Sequence, residues 1–141
     1  MATATPGGTR SHPFKSSLTG VTAKDLATAY EGASKKQWTQ PIGFAHALFE
    51  VAVNVLKRAP DRDPKALAAA IAATNLDTVV GKVQWGGANL PPFAAKNVAK
   101  TPLVGGQWRF KDGKYDIVIT DNRTAPEIPI TGKMQAITYN A

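Results

Sequence analysis

Asp112-Gly113, set between two strand-like runs, constrains this chain more than any other pair of residues. Both central positions of a type I′ turn need positive φ, which Gly takes freely and Asp tolerates. The dipeptide therefore predicts a two-residue β-hairpin. That register pairs Phe110 with Tyr115 and Trp108 with Ile117, placing four apolar side chains on one face. It also sets Arg109 opposite Asp116 on the other face, an attractive cross-strand pair. Turn chemistry, apolar alternation and charge pairing agree, with strands over residues 104–110 and 115–120.

Helical patterns precede the hairpin. Thr22 and Asp25 form a capping-box-like start to a helix over 22–34, with Leu26, Ala29, Tyr30 and Ala33 on one face. A second helix, over 43–58, is entered at Pro41 and Gly43. Its apolar stripe runs Phe44, Leu48, Val51, Ala52, Val55 and Leu56, with Glu50, Asn54 and Lys57 off the stripe. Asp63-Pro64, a cap followed by proline at the first helical position, opens a third, alanine-rich helix over 64–74. Val79, Gly81, Val83 and Trp85 then alternate with Val80, Lys82 and Gln84, predicting a strand over 78–85. Phe14 to Gly20 reads as an extended connector, the stretch from Gly86 to Pro102 as a long loop, and the tail with Pro126 and Pro129 as extended. Residues 1–11 are Thr/Pro/Gly-rich and read as a disordered leader to a unit over 12–141.

With 141 residues, 43% hydrophobic and 19% charged, the chain has globular composition and the length of one domain. It has no apolar run long enough to span a bilayer. The net charge of +7 raises the question of nucleic acid, but the basic residues are scattered, and the densest clusters, Lys35-Lys36 and Lys57-Arg58, sit near helix ends. The expectation is no nucleic-acid partner and a solvated basic surface that attracts anionic ligands. No secretory signal is recognisable at the N-terminus, so the chain as written is expected in the cytoplasm.

Catalytic parts are sparse. Without cysteine there is no thiolate nucleophile or cysteine-ligated zinc. The two histidines, His12 and His46, have no metal-like spacing, and His46 reads as a packed or half-exposed helix residue. No Gly-x-Ser-x-Gly elbow, Gly-x-Gly-x-x-Gly or P-loop occurs. The expectation is a chain that is not an enzyme and holds neither metal nor cofactor. Trp38, Trp85, Trp108 and Phe44 offer flat surface for a ligand, although each fits a core role as well.

Several stretches together resemble a known family. They are His12 to Gly20 (His-Pro-Phe-Lys-Ser-Ser-Leu-Thr-Gly), the Tyr30 helix, and Gly43 to Glu50 (Gly-Phe-Ala-His-Ala-Leu-Phe-Glu). Asn75 to Trp85 and Asn97 to Trp108 complete the set. In order and spacing they are similar to the C-terminal part of solute-binding proteins of branched-chain amino-acid type ABC importers. Gly81-x-Val83-x-Trp85 resembles the strand before that family's last loop, and the Gln107-Trp108 to Tyr115 segment its final hairpin.

The resemblance implies a partial α/β fold of type I periplasmic-binding proteins: helices, then strand and hairpin, without the N-terminal parallel-sheet region. It implies a periplasmic setting, an ABC permease as partner, and a small hydrophobic amino acid or aromatic acid as ligand, bound by lobe closure. It further implies Phe44, Pro41 and His12 as ligand-binding residues, with Pro41 to Phe44 facing the cleft between lobes. The chain departs from the family pattern in lacking the N-terminal strands and most groups that grip a ligand's carboxylate and amine. Helices that would cover a sheet are then expected to expose apolar surface, favouring self-association. A structural remnant that self-associates and binds no small molecule is the alternative.

Overall fold

The computed structural model describes residues 2–4, 13–86, 90–96 and 98–138. It is a mixed α/β arrangement in which helices precede two antiparallel hairpins, with no closed sheet among the described residues. Ala2–Ala4 form β1, which pairs antiparallel with residues 104–106, so this part of the expected disordered leader is a strand. The rest of that leader, and His12, lie outside the described residues.

Phe14 to Gly20 turns back on itself instead of extending. Buried Ser16 accepts the Leu18 and Thr19 N–H groups on Oγ, both at 3.2 Å, and its own N–H donates to Val21 O at 2.9 Å. A short polar side chain that can cap its own backbone favours a turn over a connector. Helix α1 (Ala23–Ser34) follows, with the expected capping box. Thr22 Oγ1 accepts the Asp25 N–H at 3.1 Å and Asp25 Oδ2 accepts the Thr22 N–H at 3.1 Å. Its buried seam is Ala23 and Ala27, with Leu26 and Tyr30 half-buried, while Ala29 and Ala33 face outward.

Helix α2 (Gln40–Arg58) begins before the expected Gly43, because extended Thr39 caps it and Pro41 fits its first turn. Its orientation differs from the one that the apolar stripe predicts. Gly43, Ala47, Glu50 and Val55 are buried, whereas Leu48 (72% exposed), Phe49 (73%) and Leu56 (47%) are not. Two causes act together. Ala47 packs against Val79 and Val80, and the buried Glu50 Oε2 accepts the Val79 N–H at 3.1 Å. At the other end, Arg58 donates to Ala70 O at 2.7 Å and Thr74 Oγ1 at 3.2 Å, tying α2 to α3 (Pro64–Ala72). Asp63 caps α3 as expected, accepting the Lys65 and Ala66 N–H groups at 2.7 and 3.1 Å.

The strand expected over 78–85 is instead a hairpin, β2 (Asn75–Thr78) and β3 (Gly81–Gln84), with Val79-Val80 as its turn. Thr78 Oγ1 receives the Val80 N–H at 3.2 Å and donates to Gly81 O at 2.7 Å, while Gly81 takes φ 104. Both valines are buried with Ala47, Leu26 and Phe44. A turn buried by tertiary contact carries strand-like residues, and periodicity alone reads it as strand. Within the expected loop, Pro92–Ala95 make one helical turn, α4.

The last hairpin, β4 (Val104–Lys111) and β5 (Lys114–Asp121), has the expected register: Phe110 faces Tyr115, Trp108 faces Ile117, and Arg109 faces Asp116. A register shift falls at Gly105-Gly106, where a Cβ on Gly106 would stand 2.7 Å from Ile117 Cγ1. Val104 and Ile119 pack with Ala125 and Ile128 of the tail in a second buried cluster, joined by Phe14 and Ile117. The tail then runs back along the hairpin. Gln107 exchanges two hydrogen bonds with the Gln135 backbone, at 2.8 and 3.0 Å, and Arg109 donates to Lys133 O.

Candidate functional site

The apolar face of the β4–β5 hairpin is only partly covered. Trp108, Phe110 and Tyr115 are 52%, 64% and 59% exposed, although the Phe110 and Tyr115 rings meet at 4.9 Å, tilted by 51°. Opposite this face lies the connection from α1 to α2, residues 35–39. Between them is a cleft of about 1090 Å³. One wall holds Trp38, Thr39 and Pro41; the other holds Trp108, Tyr115 and Ile117. Lys24 and Glu31 from α1, and Lys114 and Asp116 from the hairpin, bring both signs of charge to it.

Local sequence explains the first wall. Lys35 ends α1 with φ 57, turning the chain so that Trp38 returns against the helix. The Trp38 N–H donates to Glu31 Oε1 at 2.9 Å, and its ring meets Tyr30 edge-on at 6.0 Å. Trp38 is thereby buried, 6% exposed, and serves as a fixed floor. Gln37 spans the cleft, donating from Nε2 to Tyr115 O. Pro41 is exposed and held by the first turn of α2.

Of the expected ligand-binding residues, Pro41 lines this cleft. Phe44 does not. It packs against the Ala47–Val79–Val80 cluster, because the approach of α2 to the β2–β3 turn directs that side of the helix inward. His12 lies outside the described residues. The sequence reading singled out neither Gln37 nor Thr131, which also line the cleft. Their signal was faint: a hairpin face of Trp, Phe and Tyr with no apolar segment nearby to cover it.

Aromatic and proline walls accept an apolar or planar group, and the two lysines at the cleft are offset by Glu31 and Asp116. Among the described residues no cluster of three or more His, Asp or Glu side chains could hold a metal ion, and no helix is long and apolar enough to cross a membrane. The carboxyls held below their usual range lie elsewhere. Asp25 is lowered by hydrogen bonds from Thr22, Asp63 by the Ala66 N–H first, and Asp121 by Arg123 at 2.6 Å. None of the three lines the cleft.

A second cavity of about 1230 Å³ opens between the β2–β3 hairpin and the start of β4, lined by Phe14, Lys15, Lys82, Pro102 and Glu127 among others. It lacks the facing aromatics of the first. Comparison of the chain with family models, curated proteins and solved structures returned no match.

Proposed function

We propose that the chain is a solute-binding component of an ABC importer, or part of one, with a partial type I periplasmic-binding fold. It would take a small hydrophobic amino acid or an aromatic carboxylate by closure of the cleft walls. The observation that carries this reading is the aromatic cleft at the head of α2, where Trp38 and Pro41 face Trp108 and Tyr115 beside Lys24 and Lys114. A ligand touching both walls favours the closed arrangement and shifts its population. The periplasmic setting and the ABC permease as partner belong to the same proposal, and rest on the resemblance.

A thermal melt with a panel of hydrophobic amino acids and aromatic carboxylates tests the reading. At a hundred times its dissociation constant a ligand stabilises by about 2.7 kcal/mol, a rise of several degrees. A shift for one chemical class supports the reading and names the ligand class. A cooperative melt that nothing shifts removes it.

The second reading is a self-associating remnant that binds no small molecule. The apolar outer face of α2, with Leu48, Phe49, Val53 and Leu56 exposed, favours it. Sedimentation over a concentration series separates the two: association without any ligand-induced shift supports the remnant, and a monomer opposes it.

A further inference from the structure

The cleft contains an open piece of strand edge. In an antiparallel pair, hydrogen-bonded and non-hydrogen-bonded residue pairs alternate. Lys111 and Lys114 flank the two-residue turn and form a hydrogen-bonded pair, and Arg109–Asp116 and Gln107–Val118 follow in step. Tyr115, Ile117 and Ile119 are therefore the residues of β5 whose N–H and C=O groups point away from β4.

Two of these three are engaged from outside. Gln37 Nε2 donates to Tyr115 O. Ile119 O accepts the Thr131 and Gly132 N–H groups at 2.9 and 3.2 Å, and the Ile119 N–H donates to Thr131 Oγ1 at 2.8 Å. Ile117 lies between these two plugs, and both it and the plugging residues Gln37 and Thr131 line the cleft. The Gln37 side chain at one end and Thr131 and Gly132 at the other leave, among the described residues, an edge about one residue long. An exposed strand edge is a template for another backbone, and here its length selects a short one.

We propose that the N–H and C=O of Ile117 recognise a single amino-acid unit, adding it to β5 as a one-residue strand. The proposal rests on the solute-binding reading and names the chemistry that the cleft would select. The unit's amino nitrogen donates to Ile117 O, and its carboxylate or carbonyl oxygen accepts the Ile117 N–H. Directly paired residues share a face, so its side chain lies on the side of Ile117, Trp108 and Tyr115. That face is the apolar and aromatic one, and it suits a hydrophobic or aromatic side chain. A free amino acid and one residue of a peptide present the same donor and acceptor.

Three probes test this with the full chain: phenylalanine, N-acetylphenylalanine amide, and 3-phenylpropionate, which keeps ring and carboxylate but has no amino group. Binding is read by calorimetry and by amide chemical shifts. The expected result is that the first two bind, with the Ile117 amide shifting more than the ladder amides of Asp116 and Val118. The acid should bind at least tenfold more weakly. Preference between the first two by tenfold identifies a free amino acid or a peptide as the source, and either supports the edge. Ile117→Pro removes the outward N–H without costing a ladder bond and should lower phenylalanine affinity at least tenfold. Ile117→Val keeps that N–H and should bind as the parent does. Equal binding of phenylpropionate and phenylalanine with an unmoved Ile117 amide overturns this proposal while the solute-binding reading stands. Binding by none of the probes overturns this proposal, and a full panel of hydrophobic amino acids and aromatic carboxylates that shifts nothing overturns the solute-binding reading as well.

Discussion

The β4–β5 hairpin and helix α2 both carry more apolar side chain than they bury, yet they are oriented by different forces. In the hairpin, backbone pairing assigns each residue to one of two faces. Trp108, Phe110 and Tyr115 share a face even though each is more than half exposed. In α2 no such binary choice exists, because rotation about the helix axis is continuous. Its orientation follows the best neighbour. Ala47 packs against Val79 and Val80 of the β2–β3 turn, Glu50 captures the Val79 N–H, and Leu48 and Phe49 stay outside. Burying a leucine is worth about 1.5–3 kcal/mol, and an unpaired buried N–H costs about 1–3 kcal/mol. The two terms are of similar size, so the packing of Ala47 against the buried turn tips the balance.

Each region can be broken at its own anchor. The largest effect is expected from Ile119→Ala, which opens a cavity in the fully buried cluster where β5 meets the tail. It should cost about 2–5 kcal/mol in urea unfolding, with the hairpin amides losing protection from exchange. Glu50→Ala comes next. It strands the buried Val79 N–H but also removes Oε1, which has no partner among the described residues, so the loss falls low in the usual range, about 1.5 kcal/mol. If α2 is held by apolar contact alone, this substitution will leave stability unchanged and the comparison fails.

A smaller effect belongs to Thr22→Ala at the head of α1, about 1 kcal/mol by loss of the cap. Its pH dependence sharpens the test. The Asp25 carboxyl is held below its ordinary value of 3.8 by Thr22, so this stabilisation is complete above the unfolded value and is lost as pH falls through the lower folded one. The gap between parent and variant should therefore narrow below about pH 4 in acid titrations followed by circular dichroism. The smallest effect is expected from Phe49→Ser, within about 0.5 kcal/mol for a side chain that projects from the exposed face of α2. The same variant should weaken any self-association seen by sedimentation, which would assign that face to contact between copies.

Local chemistry determined much of this protein before any tertiary contact. Asp112-Gly113 set the register of the last hairpin, Thr22 with Asp25 set the start of α1, and Asp63-Pro64 set the start of α3. Each is a device whose partners lie within a few residues along the chain, so spacing alone reveals it. The β2–β3 turn was not legible in that way. Val79 and Val80 look like strand residues, and they form a turn because Glu50 and Ala47, far away in sequence, bury them. The candidate site divides along the same line. Pro41 and Phe44 are three positions apart at the head of α2, yet one lines the cleft and the other enters the core. Helical spacing placed them side by side, and only the rotation of α2 against the β2–β3 turn separated them. The cleft itself joins residues 24–41 to residues 108–131, and distances of that kind are decided when the chain packs.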